Sequence, residues 1–99
     1  MIIRVVRMQF SEAGESGFLK IFRDHENTIR NFPGCLFLEL LKDQETPHTY
    51  ATFSHWKNME ALENYRKSQP FIQIWGKVKP LFSNRPMAFS FETLKAGKG

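Results

Sequence analysis

Apolar and polar residues recur along the chain with the periods of strands and helices. Residues 1–10 form a largely β-branched apolar run, interrupted by Arg4, Arg7 and Gln9, which predicts a first strand. The segment SEAGESG is expected to end it. From Phe18 onward, apolar residues recur at offsets of three, four, eleven and fourteen, the stripe of a helix lying on a sheet. The Pro33–Gly34 pair predicts its end.

The segment CLFLELLK, residues 35–42, predicts a second strand that is apolar on both faces. Alternation places Leu36, Leu38 and Leu40 on one face and Cys35, Phe37 and Leu41 on the other. Helices can cover one face only, and an uncovered apolar face is costly in water. We therefore expect a second copy of the chain to cover the other face.

The second half of the chain repeats the strand and helix pattern. Residues 49–56 predict a third strand, antiparallel to the second, and Asn58 is a suitable N-cap for a following helix. The Ser68–Pro70 segment interrupts this helix. Apolar residues after Pro70 again recur with helical spacing until Pro80, and residues 87–94 alternate as a fourth strand.

The element order β-α-β-β-α-β is typical of an α+β, ferredoxin-like fold. It predicts an antiparallel four-stranded sheet with both helices on one face. At 99 residues the chain has the size of one domain. We expect this domain to occupy residues 1–94 and residues 95–99 to form a flexible tail.

Composition adds a core and a mild positive charge to this picture. Hydrophobic residues make up 41% of the chain, and fourteen Lys and Arg against ten Asp and Glu give a net charge of +4. Much of the excess lies in Lys77, Lys79, Arg85 and the C-terminal tail, so it does not form a nucleic-acid-binding stripe. RNA-recognition domains share the element order, but residues 50–56 lack their glycine-containing aromatic motif. No nucleic-acid partner is expected.

The cysteine, histidine and hydropathy patterns predict neither a metal site nor a membrane span. Cys35 is the only cysteine, and His48 and His55 have no further ligand at metal-binding spacing. A lone cysteine fits a reducing, cytoplasmic location. No apolar run approaches the roughly 20 residues that cross a bilayer.

Residues 50–82 carry a resemblance to a known family. Trp56 closes the third strand, an E-A-L helix follows, and Ser68 and Phe71 form a Ser-x-x-Phe step into the next helix. In this order and spacing, the chain resembles the antibiotic biosynthesis monooxygenase (ABM) family of dimeric α/β-barrel proteins over about residues 2–92. The resemblance implies a homodimer whose sheets meet face to face, with a pocket between sheet and helices in each subunit.

The resemblance also implies candidate chemistry. Some members oxidise phenolic or quinol-type compounds with dioxygen and without a cofactor, and in these a Trp at the position of Trp56 contributes to the pocket. Alternatively, Trp56 only anchors the strand end. The same members have an Asn and a Tyr where this chain has Thr52 and Leu62. Tyr65, one helical turn after Leu62, is a substitute source of a phenol.

A second branch of the family degrades haem with a helical His as iron ligand. The resemblance puts Trp75 at that position, and an indole cannot ligate iron. The first strand also lacks the Asn that those enzymes use. Haem degradation is therefore disfavoured, and no cofactor is expected.

Three catalytic and four substrate-binding candidates result. His25 lies seven residues after Phe18, on the stripe expected to face the sheet, where it would be either a proton shuttle or a core histidine. It joins Trp56 and Tyr65 as a catalytic candidate. The substrate-binding candidates are Tyr50, Thr52, Phe71 and Trp75, of which the last two are equally explained by packing.

Two functions remain open from the sequence. The first is a cofactor-independent monooxygenase acting on a small aromatic or quinol-like molecule. The second is a non-catalytic or stress-associated homodimer that binds a small apolar ligand or none. Fold alone does not separate them, because one fold hosts many activities.

Overall fold

The computed structural model describes residues 1–97, which form four strands, three α-helices and one short 3₁₀ turn. The strands are β1 (Ile2–Gln9), β2 (Cys35–Lys42), β3 (Thr49–Trp56) and β4 (Met87–Glu92). The helices are α1 (Glu12–Arg30), α2 (Met59–Arg66) and α3 (Gln69–Val78), and the 3₁₀ turn covers Lys79–Leu81. The order is β-α-β-β-α-α-β, so the predicted ferredoxin-like fold is confirmed, with its second helix divided in two.

All strand pairs in the sheet are antiparallel, in the spatial order β2-β3-β1-β4. The first strand lies in the centre of the sheet, between β3 and β4. In this register Arg4 lies opposite Ser54 of β3 and Ser90 of β4. Directly opposed residues project from the same face of a sheet. Residues far apart in the sequence thereby form one row across three strands.

The first helix begins earlier than the apolar pattern indicated. The segment of residues 11–17 was expected to end the first strand before a helix from Phe18, yet α1 starts at Glu12. The reason is local: Ser11 has extended backbone angles, and its hydroxyl accepts a hydrogen bond from the Gly14 amide at 2.9 Å. Acidic residues in the first turn add to this start signal, because they lie at the positive end of the helix dipole.

The break between α2 and α3 also follows from capping residues. The Asn58 side chain accepts a hydrogen bond from the Ala61 amide at 2.9 Å, as predicted for an N-cap. The Ser68 hydroxyl accepts one from the Phe71 amide at 3.3 Å, and Pro70 lies in the first turn of α3. Pro in the first turn lacks an amide hydrogen that a helix does not use there, so it fixes the start of α3.

A β-bulge changes the predicted faces of β2. The pairing with β3 shifts between Cys35 and Phe37, so that Cys35 lies opposite Trp56. Cys35 is therefore not on the face of Phe37, and Leu36 is 59% exposed rather than aligned with Leu38 and Leu40. The expected alternation was wrong at these two residues because a bulge inserts one extra residue into the strand.

The core lies between the sheet and the helices, which cover one face only. It combines Met8, Leu38 and Tyr50 from the strands with Phe18 and other apolar residues from α1. A stack of aromatic rings fills one end, where the Phe10 and Phe18 centroids are 4.2 Å apart. This end is closely filled, whereas the other end leaves space beside Trp56.

The opposite face of the sheet, called here the outer face, is mostly apolar, with Arg7, Glu39 and His55 among its residues, and has no helix over it. It contains Phe37, Leu41, Met87, Phe89 and Phe91, all of which are more than 40% exposed. Val5 and Phe53 lie between them in the strand register. Exposed apolar residues that adjoin in this way form the kind of patch that marks an interaction surface.

The chain ends beyond β4. Residues 95–99 were predicted to form a flexible tail, and two of them, Lys98 and Gly99, lie outside the described residues. Every helix within residues 1–97 is too short or too polar to cross a membrane.

Candidate functional site

A cavity of about 390 Å³ lies between the sheet and the helices. Its size falls in the range of about 300–1,000 Å³ that is typical of small-molecule sites. All four strands supply one wall, and all three helices supply the other. The aromatic residues that line it are Phe18, Phe22, Trp56, Tyr65, Phe71 and Trp75. This lining suits a mostly apolar molecule.

Trp56 forms part of the wall of this cavity. It closes β3 and is 1% exposed, and its Nε1–H donates a hydrogen bond to the Ser54 Oγ at 3.0 Å. The indole also stacks on Tyr65, with ring centroids 4.9 Å apart and planes 24° from parallel. Both proposed roles therefore fit the geometry: the ring is fixed by packing and also forms part of the cavity wall.

Tyr65 lines the cavity from α2 as a neutral phenol. Burial raises the pKa of its hydroxyl well above the usual range, and nearby Cys35 adds a smaller upward contribution. The phenol consequently keeps its proton at neutral pH. It can donate a hydrogen bond to a ligand, but it is unsuited to act as a base.

The first turns of α3 form an aromatic side of the cavity. Phe71 and Trp75 are stacked with centroids 5.9 Å apart and planes only 9° from parallel. The Trp75 ring also contacts the Phe82 ring edge to face, with centroids 5.5 Å apart. This contact holds the indole in place. The helical spacing of four residues aligns these two rings into a flat surface beside the cavity.

The polar groups of the cavity lie on the sheet and at the end of α2. Thr52 and Ser54 project from alternate positions of β3, Arg4 projects from β1, and Arg66 is the last residue of α2. Ser54 accepts its hydrogen bond from Trp56, so its own hydroxyl hydrogen remains free to be donated. These groups supply hydrogen-bond donors and positive charge in an otherwise apolar space.

His25 does not line the cavity. Its Nε2 lies 3.5 Å from the Lys77 Nζ of α3, on a partly exposed side of α1. The expectation that it faces the sheet fails because α1 packs against both α3 and the sheet. The apolar stripe of α1 is divided between these two neighbours, and position 25 falls on the α3 side.

Tyr50 is likewise outside the cavity lining. It is buried in the core, and its hydroxyl donates a hydrogen bond to the Glu15 Oε2 at 2.7 Å. The other oxygen of this carboxylate lies 3.1 Å from His48 Nδ1. These bonds lower the pKa of Glu15, with Tyr50 as the largest cause, and raise that of Tyr50. Tyr50 thus joins β3 to α1, and its substrate-binding role is not supported.

The structure brings five of the seven candidates together and adds two that the sequence analysis did not single out. Trp56, Tyr65, Thr52, Phe71 and Trp75 all line the cavity. The additions are Arg4 and Arg66. A signal for Arg4 was present, because it shares a face with Ile2 and Val6 in a strand that must bury one face against helices. No sequence signal indicated that Arg66 lies beside it.

Among the described residues, the lining contains no His, Asp, Glu or Cys. Within residues 1–97 there is also no cluster of three such side chains close enough to share a metal ion. The polar groups of the lining are instead hydroxyls and guanidiniums, which offer hydrogen-bond donors and positive charge.

Comparison with known proteins gives the family. Residues 1–75 match the profile of the family described as antibiotic biosynthesis monooxygenase. The chain belongs to the antibiotic biosynthesis monooxygenase family. The resemblance seen in residues 50–82 is thus confirmed. No curated protein matches the chain.

Solved structures show the same ABM fold at low sequence identity. A Deinococcus radiodurans protein superposes with a TM-score of 0.90 at 18% identity, over 99% of this chain and 97% of its own. Rv0793 of Mycobacterium tuberculosis superposes with a TM-score of 0.89 at 14% identity, over 98% of both chains. A variant of SnoaB, a cofactor-independent oxygenase from Streptomyces nogalater, superposes with a TM-score of 0.83 at 16% identity, over 96% of this chain and 94% of its own. These likenesses support the fold.

Proposed function

We propose that this ABM-family chain is a cofactor-independent monooxygenase for a small aromatic or quinol-like molecule bound between sheet and helices. The observation that carries the proposal is the aromatic-lined cavity of about 390 Å³ with Trp56 in its wall. Family membership and the fold shared with SnoaB, a cofactor-independent oxygenase, support it.

The proposed chemistry begins with a phenol group of the substrate. The neutral Tyr65 phenol favours the phenolate by donating a hydrogen bond to its oxygen, and the released proton passes to solvent. The electron-rich ring then reduces dioxygen. One oxygen atom enters the ring and the other leaves as water, so that a hydroquinone yields a hydroxyquinone and all electrons come from the substrate.

The aromatic residues have positioning roles in this scheme. Phe71 and Trp75 hold one face of the substrate, and Trp56 contributes a further aromatic wall. Tyr65 donates a hydrogen bond to a substrate oxygen as a neutral phenol. Leu62 occupies the position at which related quinone-forming enzymes have a Tyr, and it contributes only apolar surface here.

The functional unit proposed is a homodimer joined through the outer face. Phe37, Leu41, Phe89 and Phe91 are exposed there in one subunit, and a second copy presents the same residues. Two-fold pairing of identical faces is the commonest form of homo-oligomer. A 99-residue chain has too few helices to cover both faces of its sheet.

Oxygen consumption with a panel of hydroquinones and catechols tests the enzymatic proposal. We expect uptake above the uncatalysed rate, and about a tenfold loss in Trp75→Ala, because the aromatic side of the site is removed. His25→Ala, at the contact between α1 and α3, is the matched control. It should retain activity because His25 does not line the cavity. Unchanged background rates for every substrate would remove the proposal.

The alternative function is a non-catalytic binder of a small apolar ligand. It is favoured by the lack of a His, Asp, Glu or Cys in the cavity lining of the described chain. Thermal-shift screening with the same compounds separates the two functions. Ligands that raise the melting temperature without any oxygen consumption would establish the binder.

A further inference from the structure

Two arginine side chains, Arg4 and Arg66, line a cavity that is otherwise mostly apolar. One comes from the central strand and the other from the end of α2, which are brought together only by the fold. The Arg66 side chain is 44% exposed and Arg4 is partly buried, so both guanidiniums remain within reach of a ligand that enters from solvent. The negative charges that the protein places beside each arginine therefore indicate which charge is left for a ligand to supply.

Arg4 has only a neutral hydrogen-bond partner within residues 1–97. Its Nη1 donates to the Ser90 Oγ at 2.8 Å, and no carboxylate of the described chain lies within ion-pair distance. Burial lowers the pKa of its guanidinium, and the positive charge of Arg66 lowers it further. The group remains charged at neutral pH, since arginine keeps its proton in proteins.

Arg66, unlike Arg4, forms an ion pair within the protein. Its Nη1 lies 3.0 Å from the Glu63 Oε1, one helical turn earlier on α2. The Glu63 charge raises the pKa of Arg4, but less than burial and Arg66 lower it. The positive charges of Arg4 and Arg66 and the negative charge of Glu63 thus leave a net charge of about +1 at the cavity wall.

We propose that the cavity binds a flat aromatic molecule that carries one carboxylate, and that Arg4, with Arg66 beside it, anchors this carboxylate. The proposal defines the substrate class of the site described under the proposed function and rests on that site being used. A guanidinium offers two parallel N–H groups that match the two oxygens of a carboxylate. A single net charge fits a monoanion better than a phosphate dianion.

The neighbouring groups give the bound acid a direction. Ser54 lies opposite Arg4 in the strand register, and its free hydroxyl hydrogen can be donated to the same carboxylate. From this polar row, the cavity continues toward Phe71 and Trp75 on α3. The acid would therefore lie on the sheet, and the aromatic body would lie along the helices.

A matched pair of ligands tests the inference on the unmodified protein. 2-Naphthoic acid and 2-naphthamide have nearly the same shape, but only the acid is charged at neutral pH. In calorimetric titrations of the full chain we expect the acid to bind at least about tenfold more tightly, as for a charge-assisted pair. Equal affinity, or no binding of either compound, would overturn the inference.

Substitutions with opposite expected effects locate the charge. Arg4→Gln should weaken binding of the acid about tenfold and leave the amide unchanged. Arg66→Gln should also reduce the preference for the acid, because Glu63 would then offset Arg4. Glu63→Gln should strengthen acid binding several-fold, since it removes the nearest negative charge. Circular dichroism checks that each variant is folded.

Arg23→Gln is the control, because it removes the same charge from an exposed position of α1. An equal loss of acid binding in Arg23→Gln and Arg4→Gln would attribute the preference to overall charge and contradict the inference. Neither naphthalene compound is a hydroquinone, so these titrations require no turnover. A preference for the acid without oxygen consumption would contradict the monooxygenase alone, and oxygen consumption without the preference would contradict the anchor alone.

Discussion

At the scale of single residues, the site depends on side chains that serve structure and ligand space together. Trp56 is the clearest case, because its indole is fixed by Ser54 on one edge and by Tyr65 on one face. Such double fixing keeps the cavity wall rigid, so that a ligand meets a preformed surface and loses less freedom on binding.

Trp56→Phe tests how much of this arrangement is structural. We expect the free energy of unfolding to fall by about 2 kcal/mol, from the lost hydrogen bond and the smaller buried ring. Urea denaturation measures it. Ile72→Ala, at an exposed position of α3, is the control and should change stability by less than about 0.5 kcal/mol. A loss for Trp56→Phe as small as the control's would show that the indole is not an anchor.

At the scale of elements, short polar contacts determine how the helices are placed on the sheet. Glu15 of α1 accepts a hydrogen bond from Tyr50 of β3 and contacts His48, which has a positive φ of 56° in the β2–β3 loop. Gly34, with φ of 87°, allows the chain to turn from α1 into β2. Its carbonyl accepts the Lys57 amide at 2.8 Å, which joins this turn to the start of α2.

The Glu15 contacts predict a pH dependence of stability. Because the folded protein lowers the pKa of this carboxyl, its contribution is present above pH 4.5, the ordinary value, and is lost as the pH falls below it. Urea midpoints at pH 6 and pH 3 should therefore differ less in Glu15→Gln than in the unmodified protein. Glu12→Gln, one turn earlier on α1, should keep the original difference. An identical pH dependence in all three proteins would contradict the proposed role.

Gly34→Ala tests the turn between α1 and β2. The positive φ disfavours any side chain, and a Cβ would also overlap the Cβ of Ala61. We expect about 2–4 kcal/mol of destabilisation from the backbone and steric effects together. Adding Ala61→Gly removes the overlap. The free energy of unfolding of the double variant should then lie within about 1–2 kcal/mol of that of the unmodified protein. No recovery in the double variant would mean that the steric effect is absent.

At the scale of the whole molecule, one face of the sheet contains the ligand cavity and the other the proposed dimer interface. The central strand contributes to both: Arg4 and Val6 face the cavity, whereas Val5 projects to the outer face. Substitutions on the outer face are thus expected to affect assembly first, and the cavity only through the sheet that separates the two.

Phe89→Lys tests the interface. Phe89 is 43% exposed on the outer face, and a charge there would be buried without a partner in a face-to-face dimer. Sedimentation at micromolar concentration should show a dimer for the unmodified protein and a monomer for the variant. Leu19→Lys, at a 38% exposed position of α1, should remain dimeric. A folded monomer of the unmodified protein would rule out the proposed assembly.

The sequence by itself determined the elements, the fold class and the family. Capping residues, prolines and apolar periods act within a few residues of their own position, so Asn58, Pro70 and the strand of residues 49–56 could be predicted from local patterns. Trp56, Thr52 and the aromatic residues of α3 were predictable site candidates because the family resemblance and helical spacing indicated them. The start of α1 was missed, since Gly14 and Gly17 outweighed the cap at Ser11.

Only the tertiary structure decided which of these residues meet. The rotation of α1 between α3 and the sheet removed His25 from the cavity, and the Glu15 contact removed Tyr50. Strand register placed Arg4 beside Ser54 and Ser90, and the packing of α2 brought Arg66 to the same wall. Register and helix rotation are set by packing across the whole core, which no local period encodes.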